Sequence, residues 1–156
     1  VDSDRVNRWL TLGANIGVLI GIILLLVELD QNRDMLRSQT RNELTMGIVG
    51  IMSGYAESSE LSNIVARARA GETLTPSERL QWYNAQLAMY RYWENVHYQY
   101  RMGLYDEEEF VKHKEAWRIV MNRDEATVNV WCERRQTFSS EYAAEMDGLL
   151  DKYQCD

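Results

Sequence analysis

Proline is almost missing from this chain: Pro76 is the single one among 156 residues. Runs of alternating β-branched residues bounded by turn signals are missing too, so a sheet has little support and an all-α protein is expected. Only two cysteines occur, Cys132 and Cys155. That is too few for a disulfide framework; a reducing compartment leaves both as thiols, and an oxidising one allows them to pair. Cys132 lies beside Glu133-Arg134-Arg135, but burial as a small apolar residue is a commoner fate for a cysteine than a nucleophile's role. The glycines at 47, 50 and 54 are not followed by lysine, so no phosphate-cradling loop is present. The formal charge of −7 and pI near 4.9, with short arginine clusters interleaved with acids, exclude nucleic acid as a partner.

Formal charge is also missing over one long stretch, the 19 residues from Trp9 to Val27. As a helix this stretch spans roughly 28 Å, close to the ~30 Å hydrocarbon core of a bilayer. A secretory signal is the competing reading, but Glu28-Leu29-Asp30-Gln31-Asn32 follows the apolar core with no small-x-small cleavage site. No other segment approaches this length, so one uncleaved crossing through membrane lipid is expected. The chain begins at Val1 rather than Met, which fits trimming of a short leader or tag.

Gly13, Gly17 and Gly21 recur every four residues inside the span and share one helix face. Lipid provides no hydrophobic drive for helix pairing, so association relies on close backbone approach and on polar contacts. Small residues permit the first, and Asn15 supplies an amide that seeks a partner in hydrocarbon. These four residues predict a homo-oligomer. In a variant of this reading the assembled spans form a pore with Asn15 facing the lumen. Arg5 and Arg8 precede the span, while Arg33, Arg37 and Arg41 follow it. This small excess places the C-terminal domain in the cytoplasm.

The expected organisation is an N-terminal flank (1–8), a transmembrane helix (9–27), a stalk helix (28–56) and a soluble helical domain (57–156). The stalk has neither Gly nor Pro from 22 to 46, so nothing breaks the helix as it leaves the span. It turns apolar at Met46-Gly47-Ile48-Val49-Gly50-Ile51-Met52, where it is expected to meet the globular part. Ser58 or Ser59 begins a helix stopped by Gly71. Thr75-Pro76-Ser77-Glu78 has the form of a capping box with proline at the first helical position. The helix it opens runs to Met102, before Gly103. Asp106 caps the next, which carries Glu107, Glu108 and Glu109 in its first turn. Further helices are expected at about 124–136 and 140–153.

The helix from Pro76 to Met102 has apolar and aromatic residues on nearly all sides, as a central helix does. Its polar residues Glu94, His97 and Gln99 are then partly buried and need partners. Glu94-Asn95-Val96-His97 is a Glu-x-x-His step, the arrangement used in carboxylate-bridged di-iron bundles. Folding back at Gly103 brings Glu109 and His113 level with it, so Glu94, His97, Glu109 and His113 form a candidate site for a di-iron centre or another divalent metal. A di-iron site needs a second such step and two more carboxylates, and the chain has only two histidines. The preferred expectation is therefore no cofactor, with these groups hydrogen-bonded to Tyr83, Tyr90, Tyr98 or Arg101 in the core.

At Trp93-Glu94-Asn95, Gln99-Tyr100-Arg101-x-Gly103, Trp131 and Phe138-Ser139 the chain resembles a loose group of small bacterial proteins with one N-terminal span, a helical C-terminal domain and no established activity. The resemblance covers nearly the whole chain and implies the bacterial inner membrane as its location; it transfers no catalytic residue. The leading expectation is a non-enzymatic module that self-associates through its span and presents a protein-interaction or scaffold domain, within a larger membrane protein complex. The alternative is a membrane-tethered metal-dependent enzyme.

Overall fold

The computed structural model describes residues 3–155. Val1, on which the expectation of trimming rests, lies outside them with Asp2 and Asp156. Six α-helices and one short 3-10 helix account for the described residues, with no strand among them. In chain order they are α1 (Ser3–Glu57), α2 (Ser59–Arg69), α3 (Pro76–Arg101), α4 (Glu107–Met121), α5 (Glu125–Arg134), the 3-10 helix Arg135–Thr137, and α6 (Ser140–Asp147). Two compact units divide the chain, Val1–Gln39 and Thr40–Asp156.

The first unit consists of the N-terminal part of α1. It is long and apolar enough to cross a membrane, and none of its most apolar window is buried within the chain. From Trp9 to Val27 its large side chains, among them Leu19 and Leu26, are exposed.

In the second unit, the sequence signals at the helix ends are realised as hydrogen bonds. Ser58 Oγ accepts from the N–H of Leu61 at 3.1 Å. At the start of α3 the Thr75 N–H donates to Glu78 Oε2 (2.7 Å) and the Glu78 N–H donates to Thr75 Oγ1 (3.3 Å), which satisfies two otherwise orphaned donors reciprocally. Asp106 Oδ1 accepts from the N–H groups of Glu108 and Glu109. Gly71 and Gly103 adopt φ of 75° and 71°, the left-handed turn that glycine enters without a Cβ penalty. Each closes a helix end: the N–H groups of Glu72 and Leu104 return to the carbonyls of Arg67 and Gln99.

Helix α3 is central and packs against α2, α4, α5 and α6. Trp82, Gln86, Tyr90, Trp93 and His97 are all buried, following the helical period toward the neighbours. Leu80 and Tyr98 instead face solvent. The core is aromatic. Trp117, Trp131, Tyr90 and Tyr142 are at most 1 % exposed. Tyr90 meets Trp131 edge-on at 5.5 Å, and Trp93 stacks on Trp117 at 5.5 Å. The two tyrosine hydroxyls are paired, Tyr90 donating to the Thr127 carbonyl (2.6 Å) and Tyr142 to the Tyr90 carbonyl (3.1 Å), whereas the buried Trp117 Nε1–H has no partner among the described residues. Buried tyrosines are therefore carried without an unsatisfied hydroxyl at either position.

The last turns of α1 belong to this core. Thr40 and Leu44 are buried, and Ile48, Ile51 and Tyr55 pack against the cluster. Helix α1 thus enters the core at Thr40, one and a half turns before the apolar run at 46–52 where contact was expected. A Cβ at Gly47 would lie 3.4 Å from the Tyr92 ring, so this glycine lets α1 sit close to α3.

The C-terminal helix is shorter than expected. Instead of running to 153, α6 ends at Asp147. Leu149 turns into the core, and the backbone beyond it is held by Asn122. The Asn122 amide donates to the carbonyls of Arg118 and Leu149 (2.9 and 2.8 Å) and accepts from the N–H groups of Asp151 and Lys152.

Candidate functional site

The glycine face lies in the first unit. A Cβ built at Gly13, Gly17 or Gly21 meets nothing within 4 Å, so no neighbour within the chain makes use of their small size. Gly13 and Asn15 are exposed, and Gly21 is half-buried against its own helix.

The structure does not bring the four proposed metal ligands together. Among the described residues no group of three or more His, Cys, Asp and Glu side chains is placed to hold a metal ion. The reason lies in the partners each finds. Glu94 turns toward α6: its Oε1 accepts from the Ser139 N–H at 2.8 Å and its Oε2 pairs with Arg91 at 2.8 Å. His97 is 6 % exposed and sits between the rings of Phe110 and Tyr142, with centroids at 6.0 and 5.7 Å. Glu109 forms an ion pair with Arg41 of α1 at 2.7 Å. His113 lies against Tyr105 and Trp117. Burial lowers the pKa of both histidines, more than the nearby carboxylates (Glu145 and Glu141 at His97, Glu109 at His113) raise it. In place of Tyr83, Tyr90, Tyr98 or Arg101, these groups meet two arginines, Arg91 and Arg41, the Ser139 N–H, Tyr105 and aromatic faces.

Glu94, Trp131, Phe138 and Ser139 gather around Arg91. Glu94 holds the Ser139 N–H, and the guanidinium of Arg91, paired with Glu94, lies 4.0 Å from the Phe138 ring centroid. Arg91 also donates to the Thr137 carbonyl at 3.1 Å. Trp131 packs against Phe138 at 5.2 Å. This cluster fixes the turn between α5 and α6, and its geometry is that of a structural clamp.

Cys132 and Cys155 form a disulfide across 23 residues, with Cα atoms 5.2 Å apart, in the ordinary range for such a bond. It ties the chain beyond α6 to α5.

A cavity of about 420 Å³ opens between the last turns of α1, helix α2, helix α3 and the end of α4. Its apolar wall includes Met52, Val65, Met89, Trp93 and Val120, and its polar groups are Tyr55, Ser62, Arg69, Gln86 and Arg123. One carboxylate serves both arginines. Asp124 Oδ2 lies 3.0 Å from Arg123 Nε and 3.9 Å from Arg69 Nε, while its Oδ1 caps α5 by accepting from the N–H and hydroxyl of Thr127. Desolvation lowers the Arg69 pKa and the neighbouring Arg123 lowers it further, against the opposing pull of Asp124. The cavity escaped sequence reasoning because its charged and amide groups are contributed by α2, α3 and the α4–α5 turn, with no common spacing. The one local signal is Arg123-Asp124, an arginine beside a helix cap.

Compared with protein-family models, curated proteins and solved structures, the chain matches none of them.

Proposed function

We propose that this chain is a single-pass membrane protein that self-associates through the glycine face of α1 and presents its helical domain as a protein-interaction or scaffold module in a larger membrane complex. The observation that carries the reading is the exposure of the whole uncharged stretch from Trp9 to Val27 on a helix that has nothing from its own chain to cover it. Lipid covers an apolar helix of that length. Gly13, Gly17 and Gly21, open to close approach on one side, support pairing with copies of the same helix, and Asn15 supplies an interhelical hydrogen bond.

The setting in this reading is a bacterial inner membrane, in keeping with the sequence resemblance. The Cys132–Cys155 bond favours the oxidising face for the helical domain over the cytoplasmic side that three arginines against two favoured. Disulfides persist outside the cytosol and are reduced within it, whereas an arginine difference of one is a small bias.

Two measurements test the reading. The detergent-solubilised protein gives an oligomeric native mass, and Gly17→Ile shifts it toward the monomer; an unchanged mass distribution removes the glycine face from the assembly. In intact cells, alkylation with a membrane-impermeant maleimide, with and without prior reduction, labels Cys132 and Cys155 only after reduction. Labelling that needs cell lysis places the domain in the cytosol.

A further inference from the structure

The cavity bounded by α1, α2, α3 and the α4–α5 turn sets a few polar groups into a largely apolar wall. Gln86 is 3 % exposed and lines it. An amide in such a wall offers both a donor and an acceptor to a bound molecule. Beside it, Arg69 and Arg123 bring two positive charges to the single carboxylate of Asp124. That carboxylate already accepts two bonds from Thr127. One positive charge is left over, and both guanidinium groups are part-exposed, at 37 % and 40 %. The groups that bear on Arg69 are Arg123, Asp124 and the Tyr55 hydroxyl.

The remaining wall is mostly apolar and aromatic and includes Met89, Trp93 and Val120. A small inorganic anion would leave that wall uncovered. The volume, about 420 Å³, corresponds to about 14 water-sized groups and lies in the range of small-molecule sites. We propose that this cavity is a binding site for a small organic monocarboxylate: the carboxylate is held between Arg69, Arg123 and the Gln86 amide, and an apolar or aromatic body lies against Met89, Trp93 and Val120. A monoanion matches the single surplus charge, and the planar guanidinium fork matches a carboxylate. This site is independent of the membrane and assembly reading above.

The test uses the full chain in detergent micelles, with naphthoate as the probe and protein-free micelles as the blank, read by equilibrium dialysis. Expected is saturable binding of one naphthoate per chain. The uncharged naphthamide of the same shape binds at least about tenfold more weakly, and inorganic phosphate at high excess fails to displace the bound acid. Arg69→Gln lowers affinity about tenfold or more. Ala66→Trp does the same by blocking the mouth from an exposed position, where the fold has little to lose. Gln86→Leu weakens binding with the melting temperature of the unliganded protein unchanged, which separates lost recognition from misfolding. Absence of saturable binding above the micelle blank overturns the proposal. So does equal affinity for naphthamide, displacement by phosphate alone, or undiminished binding in Ala66→Trp. The native mass of the same samples reports assembly separately.

Discussion

Glu94 on α3 accepts a hydrogen bond from the backbone N–H of Ser139, 45 residues further along the chain, at 2.8 Å. That N–H opens α6, whose cap residue Ser139 makes no side-chain cap bond of its own. A carboxylate there complements the positive end of a helix, and Arg91 holds its second oxygen. Glu94→Ala is expected to lose about 1–2 kcal/mol of unfolding free energy, the usual worth of a hydrogen bond to a charged group reduced for partial exposure. Glu94→Gln keeps an acceptor and loses less. Urea unfolding with an unchanged m-value checks both; a neutral Glu94→Ala would mean that the clamp is idle.

The disulfide closes a loop between Cys132 and Cys155, 23 residues apart. On the chain-entropy account such a loop stabilises by about 3 kcal/mol through restriction of the unfolded chain. Reduction, or the pair Cys132→Ser with Cys155→Ser, is expected to lower stability by roughly this amount without unfolding α3, which also packs against α2 and α4. Circular dichroism melts with and without reductant measure it. A loss well under 1 kcal/mol would show that the unfolded ensemble is already restricted there.

What was legible in the sequence is what local chemistry determines. The capping box at Thr75 and Glu78, the glycine stops at 71 and 103, and the aspartate cap at 106 act within four residues and leave a pattern in the chain. The apolar span is legible for the same reason, since length and composition alone define it. Glu94 shows where this ends. The Glu-x-x-His spacing correctly put Glu94 and His97 near one helix face, but the spacing is silent on which helix that face meets. α6 reached Glu94 first, and Phe110 and Tyr142 enclosed His97. The end of α6 was misjudged similarly: residues 148–153 read as helix, yet Asn122, far back on the chain, captures their backbone.

Both histidines lie in surroundings that disfavour their charged form. Burial holds the pKa of His97 and His113 below 6.5, the value they regain on unfolding. Above 6.5 both states carry neutral rings and stability is at its plateau. As pH falls below 6.5 the unfolded chain takes up protons that the fold resists, so stability declines until the folded pKa values are passed. The acids held below their usual range, Glu78 and Glu141, act only below about 4.5, so the two windows separate. Unfolding free energies measured between pH 7.5 and 5 are expected to fall in the wild type and to stay flatter in His97→Leu with His113→Leu. An equal slope in the double variant would assign the dependence to other groups.

Asn122 and the disulfide hold the same stretch of chain from its two ends. The Asn122 amide bonds the Leu149 carbonyl and the N–H groups of Asp151 and Lys152, and Cys155 is fixed to α5 three residues later. Removing the amide in Asn122→Ala leaves three backbone groups to find water, at a cost of about 1–3 kcal/mol. With the disulfide intact the tail stays near its place and water replaces the amide at a partly open site, which keeps the loss at the low end. Once the disulfide is reduced, nothing covalent returns residues 149–155 to α4 and α5, so Asn122→Ala has more to release. A double-mutant cycle between Asn122→Ala and the two Cys→Ser changes should therefore show a coupling of about 0.5 kcal/mol or more. Strict additivity would mean that each restraint acts on its own segment of the tail. Hydrogen exchange at the N–H groups of Leu149 and Leu150, which are bonded to the carbonyls of Met146 and Asp147 rather than to Asn122, distinguishes the two: coupled restraints give fast exchange only when both are removed.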